Sequence, residues 1–431
     1  MARLALVLVA AELVLWNIFT PIFESADEST YYQHVYFLAH EKRLPNLNFP
    51  PEQGGVMSYP PTYYLPLIPI LLVFDAPSIY DLASIQLRSN HRSGLRYTNF
   101  NFFIHSSREL KWRWNRQEWA VHLMRLVANG WGVGTIILVY MAAKQLFKGE
   151  KQAIGASLWV GFNPMFAHLN STITVINLLI FLASLMWYWI LKWRDRFDWK
   201  RSFILGGVVG LATITKTTGL LLLPIVVTRL LLTKENRIRN LLVLVLSFSL
   251  VSGWWFIRNI ALYGSLLDTD KVVATTGTRA FMAQQMGLIN YWVGFFTSQW
   301  ATFWTGYGWS TVYFPKIILG ILFVSIVLAG WGVAKSDKKE LRWLIGGIVF
   351  WLAMLIVVHA RFPAFHAKDF YPMIIPTSIL VITGWSYLWW TWKLPKLGKY
   401  WTTYAAVILF LINVTYLLLD VSPKLFGRQS F

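Results

Sequence analysis

Leu4-Ala-Leu-Val-Leu-Val-Ala-Ala-Glu-Leu-Val-Leu-Trp-Asn-Ile-Phe-Thr-Pro-Ile-Phe23, followed by Glu24-Ser25-Ala26-Asp27-Glu28, decides how the rest of this chain is read. The apolar run from Leu4 to Phe23 is long enough to cross a hydrocarbon layer of about 30 Å at about 1.5 Å per residue. It exceeds a secretory h-region and ends without a small-residue cleavage site, so it is expected to remain as an anchoring helix. Just beyond it stand two adjacent acids, Asp27 and Glu28, in a chain poor in carboxylates. A carboxylate pair delivered to the membrane rim is a candidate for acid–base chemistry.

The composition supports the same class. Of 431 residues, 56% are hydrophobic, and 24 Trp with 19 Tyr supply the amphipathic rings that settle at headgroup depth. That describes an all-α polytopic membrane protein. Lys and Arg number 39 against 20 Asp and Glu, a formal charge of +19. In a chain this apolar the excess reads as loops facing anionic lipids, and nucleic acid is not expected as a partner. The absence of Cys removes disulfides, thiolate nucleophiles and Cys-ligated metals.

Further apolar stretches appear at 120–143, 152–170, 172–192, 203–232, 239–260, 316–334, 342–359, 371–391 and 402–420. The stretch 203–232 is too long for one crossing, and its polar centre, Thr213-Ile-Thr-Lys216-Thr-Thr-Gly219, predicts two short helices turning near Lys216. About 11 crossings result. With the N-terminus inside, the inner connections Lys144–Lys151, Lys192–Arg201, Arg229–Arg239, Lys335–Arg342 and Lys393–Lys399 are all basic, as the positive-inside rule requires. The expectation is one transmembrane domain over 1–431, with large outer loops at 24–118 and 261–315. The Pro-rich apolar piece ending at Phe74 is expected to be interfacial or re-entrant, and the tail from Ser422 to lie outside.

Ser25 to His40 reads as an amphipathic helix stopped by Pro45, with Ser25 as N-cap and Glu28 three residues on as a capping box. On that reading Glu28 bonds the Ser25 amide, while Asp27, at the positive end of the helix, stays ionised and able to accept a proton.

The order of motifs resembles the GT-C superfamily of integral membrane glycosyltransferases, in particular the protein-mannosyltransferase-like and aminoarabinose-transferase-like branch. The likeness rests on Asp27-Glu28, Leu44-Pro45, Tyr59-Pro-Pro-Thr-Tyr-Tyr64, Asn101-Phe-Phe-Ile-His105, Ala120-Val-His-Leu-Met-Arg125, Phe162-Asn-Pro-Met-Phe166, Leu211-Ala-Thr-Ile-Thr-Lys216 and Gly253-Trp-Trp-Phe-Ile-Arg258-Asn259. It implies transfer of a sugar from a polyprenyl-phosphate donor to an acceptor on the extracytoplasmic face of the cell membrane. The first-loop Asp would act as base or orienting group, and basic residues would hold the lipid phosphate. Three departures stand out: Thr174-Val-Ile176 replaces a second acidic motif, which disfavours a divalent metal; Tyr59 replaces a basic residue or His; and Lys368-Asp369-Phe-Tyr-Pro372 carries an unusual Asp.

On these grounds Asp27 and Glu28 are the catalytic candidates, and Tyr59, Arg125, Lys216, Arg258, His366 and Lys368 the substrate-binding ones, with no metal or other cofactor. Bland readings accompany several of them. Lys216 could snorkel to headgroups, Arg125 could pair with an internal acid or carbonyl, and Arg258, beside Trp254 and Trp255, could be an interfacial anchor. The basic run Arg88, Arg92, Arg96, Arg108, Lys111, Arg113 and Arg116 reads as headgroup contact. The missing second acid also fits an inactive scaffold subunit of a membrane complex. A transporter is the other rival, without an inverted repeat to support it.

Overall fold

The computed structural model describes residues 2–46, 59–80, 100, 101, 103, 105, 107–194, 196–233, 236–267, 284–336, 341–361, 366–393 and 401–426. Arg88, Arg92 and Arg96 lie outside them. The described residues are helical, with a single isolated bridge between Tyr307 and Val312. In order the helices are α1 (Ala2–Phe19), α2 (Glu28–Glu41), α3 (Ile68–Phe74), α4 (Ser107–Leu110), α5 (Arg116–Lys144), α6 (Glu150–Gly161), α7 (Pro164–Leu169), α8 (Val175–Lys192), α9 (Trp199–Thr213), α10 (Leu222–Leu231) and α11 (Arg237–Tyr263). They continue with α12 (Leu288–Trp304), α13 (Lys316–Lys335), α14 (Leu341–Arg361), α15 (Ile374–Thr391) and α16 (Trp401–Tyr416).

Among the described residues, 8 helices are long and apolar enough to cross a membrane. The other expected crossings fall on α6 with α7, on α9 and on α10, which are shorter, so the expected figure of 11 is not decided by length and apolarity. The 152–170 stretch, read as one span, breaks at Asn163-Pro164: Asn163 accepts from the amides of Met165 and Phe166, and Pro164 opens α7. Proline cannot continue α6 but suits the first position of a new helix. The 203–232 stretch does divide at Lys216, with a 3-10 turn over Thr217–Leu221. Gly219 is needed there because a Cβ would collide with the Ala212 carbonyl. The Pro-rich piece forms two 3-10 turns and the 7-residue α3.

The connections gather at two opposite ends of the helices. At one end the expected inner loops touch one another: Arg194 donates to the Gln145 carbonyl, Arg229 to the Arg194 carbonyl, and Asn240 to the Phe197 carbonyl. At the other end lie Asp27, Lys216 and Lys368.

Between the two ends, α1, α5 and the start of α8 are joined by one buried ion pair. Arg125 spends all five N–H donors: Nε and one Nη2 hydrogen on Glu28 at 2.8 and 2.6 Å, the others on the carbonyls of Asn17, Thr20 and Pro21. Glu28 fills its remaining acceptor positions with the amides of Phe23, at 3.0 Å, and Ile173, at 2.9 Å. Both side chains have 0% exposure.

This corrects the capping-box reading. Asp27, in the left-handed region at φ 66°, occupies the N-cap position, makes no side-chain cap, and leaves Glu28 as the first helical residue with its carboxylate turned inward. The α2 helix ends at Glu41 with Lys42 left-handed, ahead of Pro45. Glu12, passed over within the first apolar run, is also fully buried and accepts from Asn413 at 2.8 Å, tying α1 to α16.

Removing one partner of a buried pair leaves the other charge uncompensated, at a cost of about 3–5 kcal/mol. Arg125→Met and Glu28→Gln are therefore each expected to lower the thermal midpoint by many degrees or prevent recovery of monodisperse protein. Fluorescence-detected size exclusion after heating would check this, and wild-type-like stability in either variant would contradict it.

Candidate active site

Asp27 sits on the loop between α1 and α2, and the loop is fixed from both sides. The Ala26 amide donates to the Gly308 carbonyl at 3.2 Å, and Trp309 Nε1 donates to the Phe23 carbonyl at 3.3 Å. Phe23 and Asp27 both have left-handed backbones, at φ 64° and 66°. A left-handed residue other than glycine costs about 1–2 kcal/mol, least for Asp and Asn, and persists where its surroundings over-determine it.

From a distant part of the chain, the 3-10 turn over Ala367–Met373 brings Lys368, whose Nζ lies 2.8 Å from Asp27 Oδ2. That turn is well anchored. The Ala367 amide donates to Thr302, Trp351 Nε1 to the Asp369 carbonyl, and the Tyr371 hydroxyl lies 2.7 Å from the Phe303 carbonyl and 3.0 Å from Asn163 Oδ1. Its neighbour Asp369 takes Lys216 as a direct ion-pair partner. The ammonium that sequence placed between two apolar half-helices thus finds a carboxylate, and the Asp that looked anomalous beside Lys368 is its counterion. Two cations and two anions from three distant segments form one cluster, mostly shielded from solvent, with Asp27 its most exposed acid at 31%.

Lys368 holds the Asp27 carboxyl below the usual carboxylate range, against the opposing effect of burial, with Lys216 adding to the fall. Asp27 is ionised at neutral pH. His366 caps the 3-10 turn by accepting from the Lys368 amide at 3.1 Å. Burial, aided by Lys368, pushes its imidazole down to about 3, so the ring is neutral. Tyr59 packs on Tyr31 with ring centroids 5.8 Å apart, and burial raises its phenol well above the usual value, which leaves it a neutral neighbour of the cluster.

The structure therefore brings Asp27, Tyr59, Lys216, His366 and Lys368 together and separates the other candidates from them. Glu28 and Arg125 exhaust each other inside the fold. Arg258 donates to the Pro45 carbonyl at 2.5 Å and lies 4.8 Å from the Trp255 ring centroid. Pro45 lies beyond the far end of α2, whose 14 residues span about 20 Å from Asp27. Arg258 is thus engaged with the segment that follows α2 rather than with the acid.

Sequence reasoning overlooked a second feature of the loop. His105 is clamped between Glu24 and Glu109, each at 2.8 Å. Glu24 also accepts from the Phe103 amide and Glu109 from the Ile22 amide, so the cluster pins the 100–110 segment against the Asp27 loop. Among the described residues no His or acid cluster suits a metal ion. The available signal was Glu24 itself, three residues before Asp27, with His105 in a motif already singled out.

Beside Lys368 the surface dips into a small recess, partly open to solvent and with room for about one water molecule, walled by Ser25, Met165, His168, Thr174, Gly308 and His366. Two lysines, each paired with an aspartate, one of them partly exposed, form a polar cluster beside this recess in an otherwise apolar bundle.

Comparisons agree with the architecture. The model of dolichyl-phosphate-mannose-protein mannosyltransferases matches residues 102–256, somewhat over a third of the chain. The fold is similar to the oligosaccharyltransferase of Archaeoglobus fulgidus, solved with a tethered acceptor peptide containing the NVT sequon. The TM-score is 0.52 and the identity 15%, covering 99% of this chain and 55% of that one. The chain thus spans about half the length of that protein. ArnT from Cupriavidus metallidurans, solved bound to undecaprenyl phosphate, aligns with a TM-score of 0.49 and 13% identity over 98% of this chain and 74% of its own. No curated protein matches in sequence. The all-α, GT-C-like membrane fold expected from sequence is borne out.

The His105 clamp gives a pH dependence with a definite sign. Burial alone would discharge the ring, but Glu109 and Glu24 outweigh it and raise its pKa to about 10. A raised pKa stabilises fully below the unfolded value of about 6.5, and that stability is lost as pH rises towards 10. Thermal midpoints measured from pH 6.5 to 10 should fall in wild type, with a shallower fall in His105→Gln. Parallel curves would contradict the clamp.

Proposed function

We propose that the chain is a membrane glycosyltransferase that takes a sugar from a polyprenyl-phosphate carrier and passes it to a hydroxyl or amide acceptor on the extracytoplasmic face. The observation that carries this reading is the Asp27–Lys368 contact, set beside the Lys216–Asp369 pair. In the proposed reaction the acceptor gives its proton to Asp27 and its heteroatom attacks the anomeric carbon. The bond from that carbon to the phosphate oxygen breaks, and the phosphate departs with the electron pair. With His366 neutral, the two lysines and two aspartates balance. Protonation of Asp27 then leaves one positive charge in excess as negative charge grows on the leaving phosphate, which is when electrostatic stabilisation accelerates the step.

The same balance explains why a low-pKa aspartate can act as base. While Lys368 holds Asp27 the carboxylate is weakly basic, and a donor phosphate that draws Lys368 towards itself raises that basicity where the acceptor binds. The match of residues 102–256 to a family described as using dolichyl-phosphate mannose supports the donor class. Mutual contact of the basic loops at the opposite end supports the extracytoplasmic placement. Anionic lipids would neighbour those loops.

Loss of a general base typically costs about 10²–10⁴-fold in rate. Asp27→Asn is expected to lose transfer by that factor in proteoliposomes supplied with polyprenyl-phosphate sugar, while Lys368→Ala raises the donor KM. A stably inserted Asp27→Asn protein that transfers at the normal rate would overturn the assignment, whereas wild type that transfers no sugar would favour the scaffold reading.

A further inference from the structure

Beyond α16 the chain makes a π-helical turn over Leu417–Val421 and a short helix over Ser422–Phe426. Leu417, Val421 and Leu425 recur at a helical spacing and are fully buried, and Phe426 is buried beside them. Their apolar area draws the segment onto the bundle at the end where Asp27 lies. There it meets both of the supports that hold the Asp27 loop.

The first support is the turn around Gly308, whose carbonyl accepts from the Ala26 amide and whose neighbour Trp309 donates to the Phe23 carbonyl. Gly308 has a left-handed backbone, and a Cβ placed on it would lie 2.8 Å from Leu425 Cδ2 and 3.5 Å from the Glu24 carbonyl oxygen. Bare backbone is thus wedged between Leu425 and the Asp27 loop. The second support is the His105 clamp on Glu24 and Glu109, and the Phe426 ring packs on His105 edge to face at 5.5 Å between centroids. Lys424, paired with Asp420 at 2.6 Å, lies 5.5 Å from the Phe100 ring centroid, and the Phe100 carbonyl accepts from Thr311 of the first support. The turn that carries Lys368 takes its anchors elsewhere, from Thr302, Trp351 and Asn163.

We propose that residues 422–426 are a wedge that sets the position of Asp27, with Leu425 and Phe426 as positioning residues. Leu425 acts through Gly308 and Ala26, and Phe426 through His105 and Glu24. Loosening either support lets the Asp27 carboxylate shift while Lys368 stays in place, and a base displaced by about 1 Å can lose about 10²-fold in rate. The kinetic consequence rests on the proposed role of Asp27 as base; the effect on the loop does not.

The test combines amide hydrogen exchange with transfer kinetics on the full chain in nanodiscs supplied with undecaprenyl-phosphate mannose. Phe426→Leu keeps an apolar side chain but removes the ring from His105, and Leu425→Ala empties the space beside Gly308. Each is expected to speed exchange over residues 22–28 about tenfold and to leave the Ala367–Met373 turn at the wild-type rate. In the same variants kcat should fall by up to about 10²-fold while the donor KM stays at the wild-type value. Phe426→Tyr, which keeps the ring on His105, should exchange and transfer like wild type.

Wild-type exchange over residues 22–28 in both variants would overturn the wedge, as would equal acceleration throughout the molecule or a loss carried by KM alone. Faster loop exchange with an unchanged kcat would overturn the positioning role. Absence of transfer in wild type would instead remove the reading of Asp27 as base, with the exchange rates still deciding the wedge, so the two failures are distinguishable.

Discussion

A guanidinium in the interior of a membrane protein must have every donor satisfied, and Arg125 meets that demand with Glu28 and three carbonyls from the end of α1. Those carbonyls belong to Asn17, Thr20 and Pro21, where the first helix unwinds into the loop that bears Asp27. The same carboxylate receives the Ile173 amide at the approach to α8. One buried pair thus fixes the exit of α1, the body of α5 and the start of α8 relative to one another. The position of Asp27, the residue just before Glu28, follows from it.

The adjacent acids therefore have opposite fates. Glu28 turns inward and is saturated, while Asp27, forced left-handed at the head of α2, turns towards Lys368 and stays partly exposed. Charge placed in a low-dielectric interior is tolerated only when paired, and a pair with an open side is what a reacting group can use. The second pair, Lys216 with Asp369, keeps another cation within electrostatic reach of Asp27. Anchoring of the Ala367–Met373 turn by α7, α12 and α14 makes this convergence a property of the whole bundle.

Much of the fold was legible because apolar length and basic loops are properties of composition, which survive without knowledge of contacts. The split at Lys216 was readable because a charge and a glycine interrupt an apolar run. The break at Asn163-Pro164 was missed, since the apolar character continues through a proline that opens a new helix. Asp27, Lys216 and Lys368 were identifiable as isolated charges near expected outer turns, but their partners were not, because pairing over 153 or 341 residues is set by tertiary packing. The capping-box pattern failed at Glu28 for the same reason: Arg125, 97 residues away, outcompetes the local Ser25 amide. Glu12, Glu24 and His168 went unremarked because each sits within or beside an apolar segment that hides it.

The central claim is that the cationic side of the Asp27 cluster is where a lipid phosphate is held. A structure determined with undecaprenyl phosphate bound in a nanodisc tests it most directly. The account predicts the phosphate within hydrogen-bonding distance of Lys368, with the Asp27 carboxylate freed from that lysine and facing the recess. A phosphate bound at the far end of α2, beside Arg258, with the Asp27–Lys368 contact intact, would contradict it.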